Sequence, residues 1–155
     1  MPRTHTAQKM FEPGNLLYFN PFIFPDGGDP KPKFFIVLGE VDETVLLASL
    51  PTSKDHIPSD VEVSSGCLEI AERMVNAYIF MANEVVTEDG FFFEKNTFVY
   101  GQSIKTFSTV AFTKQKLAGE TNIVFKGKLT DSVFKALKDC LRNSDAVRNR
   151  FKKYL

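Results

Sequence analysis

The spacing of apolar residues changes along this chain, and the changes mark out its elements. Gly14-Asn15 introduces an apolar run over 16–19 whose length and aromatic content predict a strand. Residues 21–32 hold four prolines, two glycines and two aspartates, with Phe22, Ile23 and Phe24 among them. This reads as a long loop with an apolar anchor, and long loops in compact domains are often functional. Residues 33–39 are strongly apolar and fit a buried strand. Val41-Asp42-Glu43 supplies a turn, and 44–50 is the expected antiparallel partner. Pro51 ends the pairing, because proline has no N–H to give to a ladder.

The middle of the chain is less regular. Val61-Glu62-Val63 alternates and predicts a brief strand. Leu68, Ile70, Met74, Val75 and Ile79 fit no single period, and a short helix over 69–76 is the expectation. Residues 91–93 and 97–100 flank Glu94-Lys95-Asn96 as a hairpin. A turn and short strand follow over 101–107, with another strand at 123–125. The last element is the clearest. Thr130 can cap a helix and Asp131 places its charge at the positive end of the dipole. Val133, Ala136, Leu137, Cys140 and Leu141 then share one helical face, and Asn143-Ser144 ends it. The pattern is mainly β with a C-terminal α-helix, a compact barrel or sandwich of about six strands.

Composition narrows the class. A chain of 155 residues suits one domain with a real core. The unusual feature is 16 Phe with no Trp, much of it in short clusters that suit strands. No run approaches the roughly 18 apolar residues that span a bilayer, and the N-terminus has no signal-peptide apolar core, so a cytoplasmic location without a membrane partner is expected. Cys67 and Cys140 match no metal spacing and read as two reduced thiols, with Cys140 on the core face of the helix. The net charge of zero conceals an asymmetry. Residues 38–94 carry 12 acidic and 2 basic side chains, whereas 126–155 carry 9 basic and 3 acidic. Such a split fits either a polyanion-binding surface or charge pairing within the chain or across a dimer.

Common catalytic signatures are missing: there is no G-x-G-x-x-G, Walker A loop, H-E-x-x-H or C-x-x-C. With only His5 and His56, a His-rich metal site is excluded, and neither a metal nor a cofactor is expected. His5 falls in the polar N-terminal arm. His56 sits in the loop after Pro51, where it is either a solvated residue or a general acid–base. Two strand boundaries remain. Lys31-Pro32 opens the first long strand and Thr52-Ser53-Lys54 follows the second. If these strands pair through the 41–43 turn, both boundaries lie at one sheet end, and cations then face hydroxyls. That set suits a phosphodiester, whose charge the cations offset and whose oxygens accept from the hydroxyls.

The ordered strings Gly14-Asn15-Leu16-Leu17-Tyr18-Phe19, Lys31-Pro32-Lys33-Phe34-Phe35-Ile36-Val37-Leu38 and Leu47-Ala48-Ser49-Leu50-Pro51-Thr52-Ser53 resemble the MazF/PemK toxins. Gly101-Gln102-Ser103-Ile104-Lys105-Thr106-Phe107 and Gly127-Lys128-Leu129-Thr130 extend the likeness. The resemblance implies an SH3-like barrel with a terminal helix, usually a homodimer. It also implies metal-independent cleavage of single-stranded RNA and an antitoxin that lays an extended segment across the RNA groove. The 2′-hydroxyl attacks the neighbouring phosphorus, assisted by an arginine and by a threonine or serine. Those positions fall on Lys31 and Thr52, with Ser53 beside it, as catalytic residues. Lys33, Lys54 and His56 would contact RNA, and Phe22 and Phe24 would stack on its bases.

The chain departs from the family in carrying lysine, a point charge, where a planar arginine fork is usual. It also carries a longer, acidic segment at about 59–96. The implied organisation is an arm over 1–12, a barrel domain over 13–142 containing that insertion, and a basic tail over 143–155. Two other readings remain. One is a catalytically inactive SH3-like barrel acting as a protein or peptide interaction module. The other is a structural homodimer pairing acidic middle with basic tail.

Overall fold

The structure, a computed structural model, describes residues 10–155. Residues 1–9 of the expected arm, with His5, lie outside the described residues. Among the described residues eight strands are formed: β1 (Asn15–Phe22), β2 (Lys31–Val41), β3 (Thr44–Ser49), β4 (Gly66–Ile70), β5 (Val75–Phe80), β6 (Thr97–Tyr100), β7 (Lys105–Ser108) and β8 (Asn122–Lys128). The described residues also form two α-helices, α1 (Thr109–Leu117) between β7 and β8 and α2 (Asp131–Arg142) after β8. One antiparallel sheet has the order β7-β3-β2-β1-β8 and a second has the order β4-β5-β6. The chain is therefore mainly β with a C-terminal helix. Among the described residues the two sheets stay separate and no closed barrel forms.

Both faces of the larger sheet are covered, which accounts for the near-continuous apolar run of β2. Ile36 and Leu38 on one face join Leu46, Ala48, Tyr78, Phe80 and Val99, so this core lies between the two sheets and takes in Leu137, Cys140 and Leu141 of α2. Phe35 and Val37 on the other face join Leu17, Phe19, Val45 and Leu47, roofed by Phe112 of α1. Met10 and Phe11 pack on this second core too, and Phe11 stacks on Phe112 at 5.5 Å between ring centroids. The end of the expected arm is thus tied down. The expected turn between β2 and β3 is present at Asp42-Glu43. Thr130 Oγ1 accepts from the Val133 amide at 3.3 Å and caps α2 as expected.

Four local expectations are corrected. The helix expected over 69–76 is instead a hairpin of β4 and β5 around a 3-10 turn at Ala71–Arg73, with Met74 in the left-handed region. All six residues of β5 are buried, because Ala77 and Ile79 face a third cluster with Ile57, Phe98 and Tyr100. A strand covered on both faces has no polar–apolar alternation to betray it. The hairpin expected between 91–93 and 97–100 is not formed; Phe92 bridges back to Val85, and β6 pairs with β5. Val61-Glu62-Val63 is not a strand, although Val61 and Val63 pack on the third cluster. Helix α1 lies where no element was expected; Ser108 caps it by accepting from the Ala111 amide at 3.1 Å.

The two cysteines are not reduced thiols. Cys67 of edge strand β4 and Cys140 of α2 form a disulfide across 73 positions of sequence. Spacing along the chain could not show this, since a bridge needs only Cα atoms within bonding reach, here 5.6 Å. Residues 143–155 are packed against the domain. Phe151 is buried, Arg142 Nη2 donates to the Leu155 carbonyl at 2.9 Å, and Lys152 Nζ donates to the Ser144 carbonyl at 2.9 Å. Among the described residues no helix is long and apolar enough to cross a membrane.

Two stability outcomes follow. Opening a closed loop of this length raises the entropy of the unfolded chain, so Cys67→Ser/Cys140→Ser is expected to lose about 4 kcal/mol in urea unfolding. An unchanged midpoint would refute a structural bridge. At Gly39 an added Cβ would overlap the backbone carbonyl of Tyr154. Gly39→Ala is therefore expected to cost about 1–3 kcal/mol by overpacking, and removing residues 149–155 as well should abolish most of the difference.

Candidate anion-binding site

The strand registers bring chemistry to one end of the larger sheet. Phe22 lies opposite Lys31 and Phe19 opposite Lys33 across β1 and β2. Phe35 of β2 lies opposite Ser49 of β3, and Leu47 of β3 opposite Lys105 of β7. Side chains alternate along strands, so all of these point from the face that buries Phe19, Phe35 and Leu47. Beyond Phe35 that face passes from core into Lys33 and Lys31. A cavity of about 610 Å³ opens there, lined by Phe22, Phe24, Lys33, Ser49, Gln102, Lys105 and their neighbours.

Lys33 is half-buried in this cavity. Burial lowers its pKa below the usual lysine value of 10.5, and the Lys31 and Lys105 ammoniums push the same way. Asp26 is the one carboxylate among the lining residues. The cations are held by aromatic faces instead. Lys31 Nζ lies 5.7 Å and Lys33 Nζ 5.6 Å from the Phe24 centroid, with Lys33 also 5.8 Å from that of Phe35. Each contact supplies about 0.5–1 kcal/mol where exposed, and leaves the N–H donors available to an anion. Phe22 is buried and meets Phe24 edge-on at 5.0 Å, so it forms the wall behind Phe24.

The residues after β3 are arranged differently. The loop after Pro51 is anchored by buried Ile57 and folds on itself: Ser53 Oγ donates to Asp55 Oδ1, and Lys54 Nζ donates to the Val61 carbonyl at 2.7 Å. Tyr100 OH donates to the Ser53 carbonyl at 2.7 Å, and burial raises the phenol's pKa. His56 stands edge-on to Tyr100 at 4.7 Å, with Nδ1 in hydrogen-bond contact with Gln102 Nε2 at 3.2 Å. Thr52, Ser53, Lys54 and His56 are exposed. None of the four lines the Lys33 cavity, and Gln102 links their loop to it.

Of the candidates from sequence, Lys33, Phe22 and Phe24 line one cavity and Lys31 stands over Phe24 at its edge. Sequence reasoning assigned no role to Lys105, Gln102, Ser49, Ser103 or Thr106, which also line it. Their only signals were the strings at 47–53, for Ser49, and 101–107, for the others; that β7 pairs with β3 is not written in either.

The fold and site define a two-sheet, mainly β protein with a cationic, aromatic-walled cavity at one sheet end. No family model matches the chain, and neither a curated protein nor a solved structure matches it.

Because the folded chain releases the Lys33 proton more readily than the unfolded chain, this group makes stability rise as pH climbs from its folded pKa towards 10.5. In an NMR titration of the lysine side chains, Lys33 is expected to deprotonate below 10.5, and Lys105→Gln to move its midpoint upwards. A midpoint at or above 10.5 would contradict the cavity's electrostatics.

Proposed function

We propose that this chain binds single-stranded RNA, with a phosphodiester seated at Lys33. The observation that carries this reading is Lys33 itself, a half-buried cation lining the cavity with Lys105, its pKa lowered by burial and by the charges of Lys31 and Lys105. Three gathered cations destabilise one another, and an anion between them relieves both repulsion and desolvation. Ser49, Ser103, Thr106 and Gln102 supply neutral donors for the remaining phosphate oxygens. The half-exposed Phe24 offers its edge to a base beside the phosphate, since its face is taken by the lysines.

The resemblance to MazF/PemK toxins extends the proposal to metal-free cleavage and to an opened form of the SH3-like barrel. In that chemistry the 2′-oxygen loses its proton and attacks phosphorus, the bond to the 5′-oxygen breaks, and that oxygen takes up a proton, leaving a 2′,3′-cyclic phosphate. Lys31 would stabilise the developing charge, and Thr52 with Ser53 would position the phosphate from the neighbouring loop. A homodimer and an antitoxin-like partner belong to the same proposal.

A second reading rests on another face. Met10, Phe11, Phe112 and Ile123 line a cavity of about 620 Å³ beside α1, next to exposed Leu117, which suits an extended apolar peptide. Salt separates the two, because RNA binding weakens steeply with salt and apolar binding hardly changes.

Binding of a fluorescent oligouridylate at low salt is the direct test. Lys33→Gln is expected to weaken it at least tenfold with the thermal midpoint unchanged or higher, since a strained cation is removed. Equal affinity of parent and variant would overturn the site. If the RNA is also cut, Lys31→Ala and Thr52→Ala are expected to stop cleavage; persistence in both would point to a contaminating nuclease.

A further inference from the structure

A second basic cavity lies beside the first. Gln102, Lys105 and Thr106 line both, so the two share one wall formed by β7 and the turn before it. The second, of about 300 Å³, is completed by Ile104, Arg148, Arg150 and Phe151. It has no carboxylate in its lining. Arg148 and Arg150 come from the far end of the chain, held there because Phe151 is buried and the C-terminal turn is docked beside Gly39. Arg150 lies over the Phe151 ring at 5.0 Å. A guanidinium beside an aromatic ring is attracted to it without using its N–H donors, which stay free to pair with two oxygens of one phosphate.

We propose that this cavity is a second phosphate subsite, taking the next phosphodiesters of the RNA strand whose first phosphate sits at Lys33. The inference rests on the RNA-binding reading and adds to it a path and the requirement for a strand with more than one phosphodiester. The strand crosses β7 at Lys105, which serves both cavities, and continues to Arg148 and Arg150. Two subsites set side by side need a polymer; a ligand with a single phosphate fills only one. The free energy of the second subsite is therefore gained only by longer strands, as the second contact of a linked ligand. An acidic peptide would lack the regular spacing of charges that joins the two cavities.

The test compares the dinucleotide UpU, with one phosphodiester, and a long oligouridylate on the full chain. Arg148→Gln/Arg150→Gln is expected to weaken the oligouridylate roughly 10- to 30-fold at 0.1 M salt. It should also reduce the salt slope by about 1.4, the value for two phosphate contacts on a single strand. UpU affinity should not change. The variant Arg148→Lys/Arg150→Lys should retain most of the slope, and both side chains are exposed, so the fold and its thermal midpoint should be preserved. An unchanged oligouridylate affinity, or an equal loss for UpU, would overturn the second subsite while leaving the Lys33 site standing if Lys33→Gln still weakens UpU. Failure of the parent to bind either RNA would overturn both.

Discussion

The structure depends on one constraint: strand β2 has to bury both of its faces. Phe35 and Val37 face one core, Ile36 and Leu38 the other, and neither face can be left to water. One layer is therefore not enough. Helix α1 and residues 10–11 cover one side, while the smaller sheet, α2 and the C-terminal turn cover the other. Burial of apolar area is non-directional, so it demands cover without specifying which segment supplies it. Directional interactions make that choice: the two helix caps, the ladder registers and the Cys67–Cys140 bridge, which ties the otherwise exposed edge strand β4 to α2.

The candidate site follows from where this burial stops. On the face of Phe35 the core ends towards the start of β2, and the strand continues with Lys33 and Lys31 in the same alternation. Apolar walls therefore carry on into a zone that needs charge, producing a half-dry cation beside rings. The same geometry that stabilises the sheet lowers the pKa of Lys33, because it holds a cation half out of water beside two others. Asp26 is the one carboxylate that lines this end; the acidic side chains of residues 38–94 are not in the cavity lining.

Legibility varied with how local the causes were. The cap and apolar face of α2 depend on neighbours within two turns, and the sequence showed them. The β2–β3 pairing depends on one short turn, and it too was visible, along with the common sheet end of Lys31, Lys33 and the residues after β3. The β4–β5 hairpin was hidden because β5 is buried on both faces and carries Asn76 within it. Helix α1 was hidden because only Phe112 of its residues is buried, leaving no apolar stripe to detect. The cysteines were misread because a disulfide is a fact of space, not of spacing.

For the site the division is similar. Residue types and their order along the chain determined that lysines and phenylalanines cluster around the start of the first long strand. That is a property of nearby positions. Only the tertiary structure decided that Lys105 and Gln102 join them, that the 52–56 loop turns instead towards Tyr100, and that Arg148 and Arg150 close a second basic cavity. These residues meet through strand pairing and the docking of the chain's end, interactions whose partners lie tens of positions apart. A local pattern records what each segment must bury, and the packed molecule alone determines which segments bury it together.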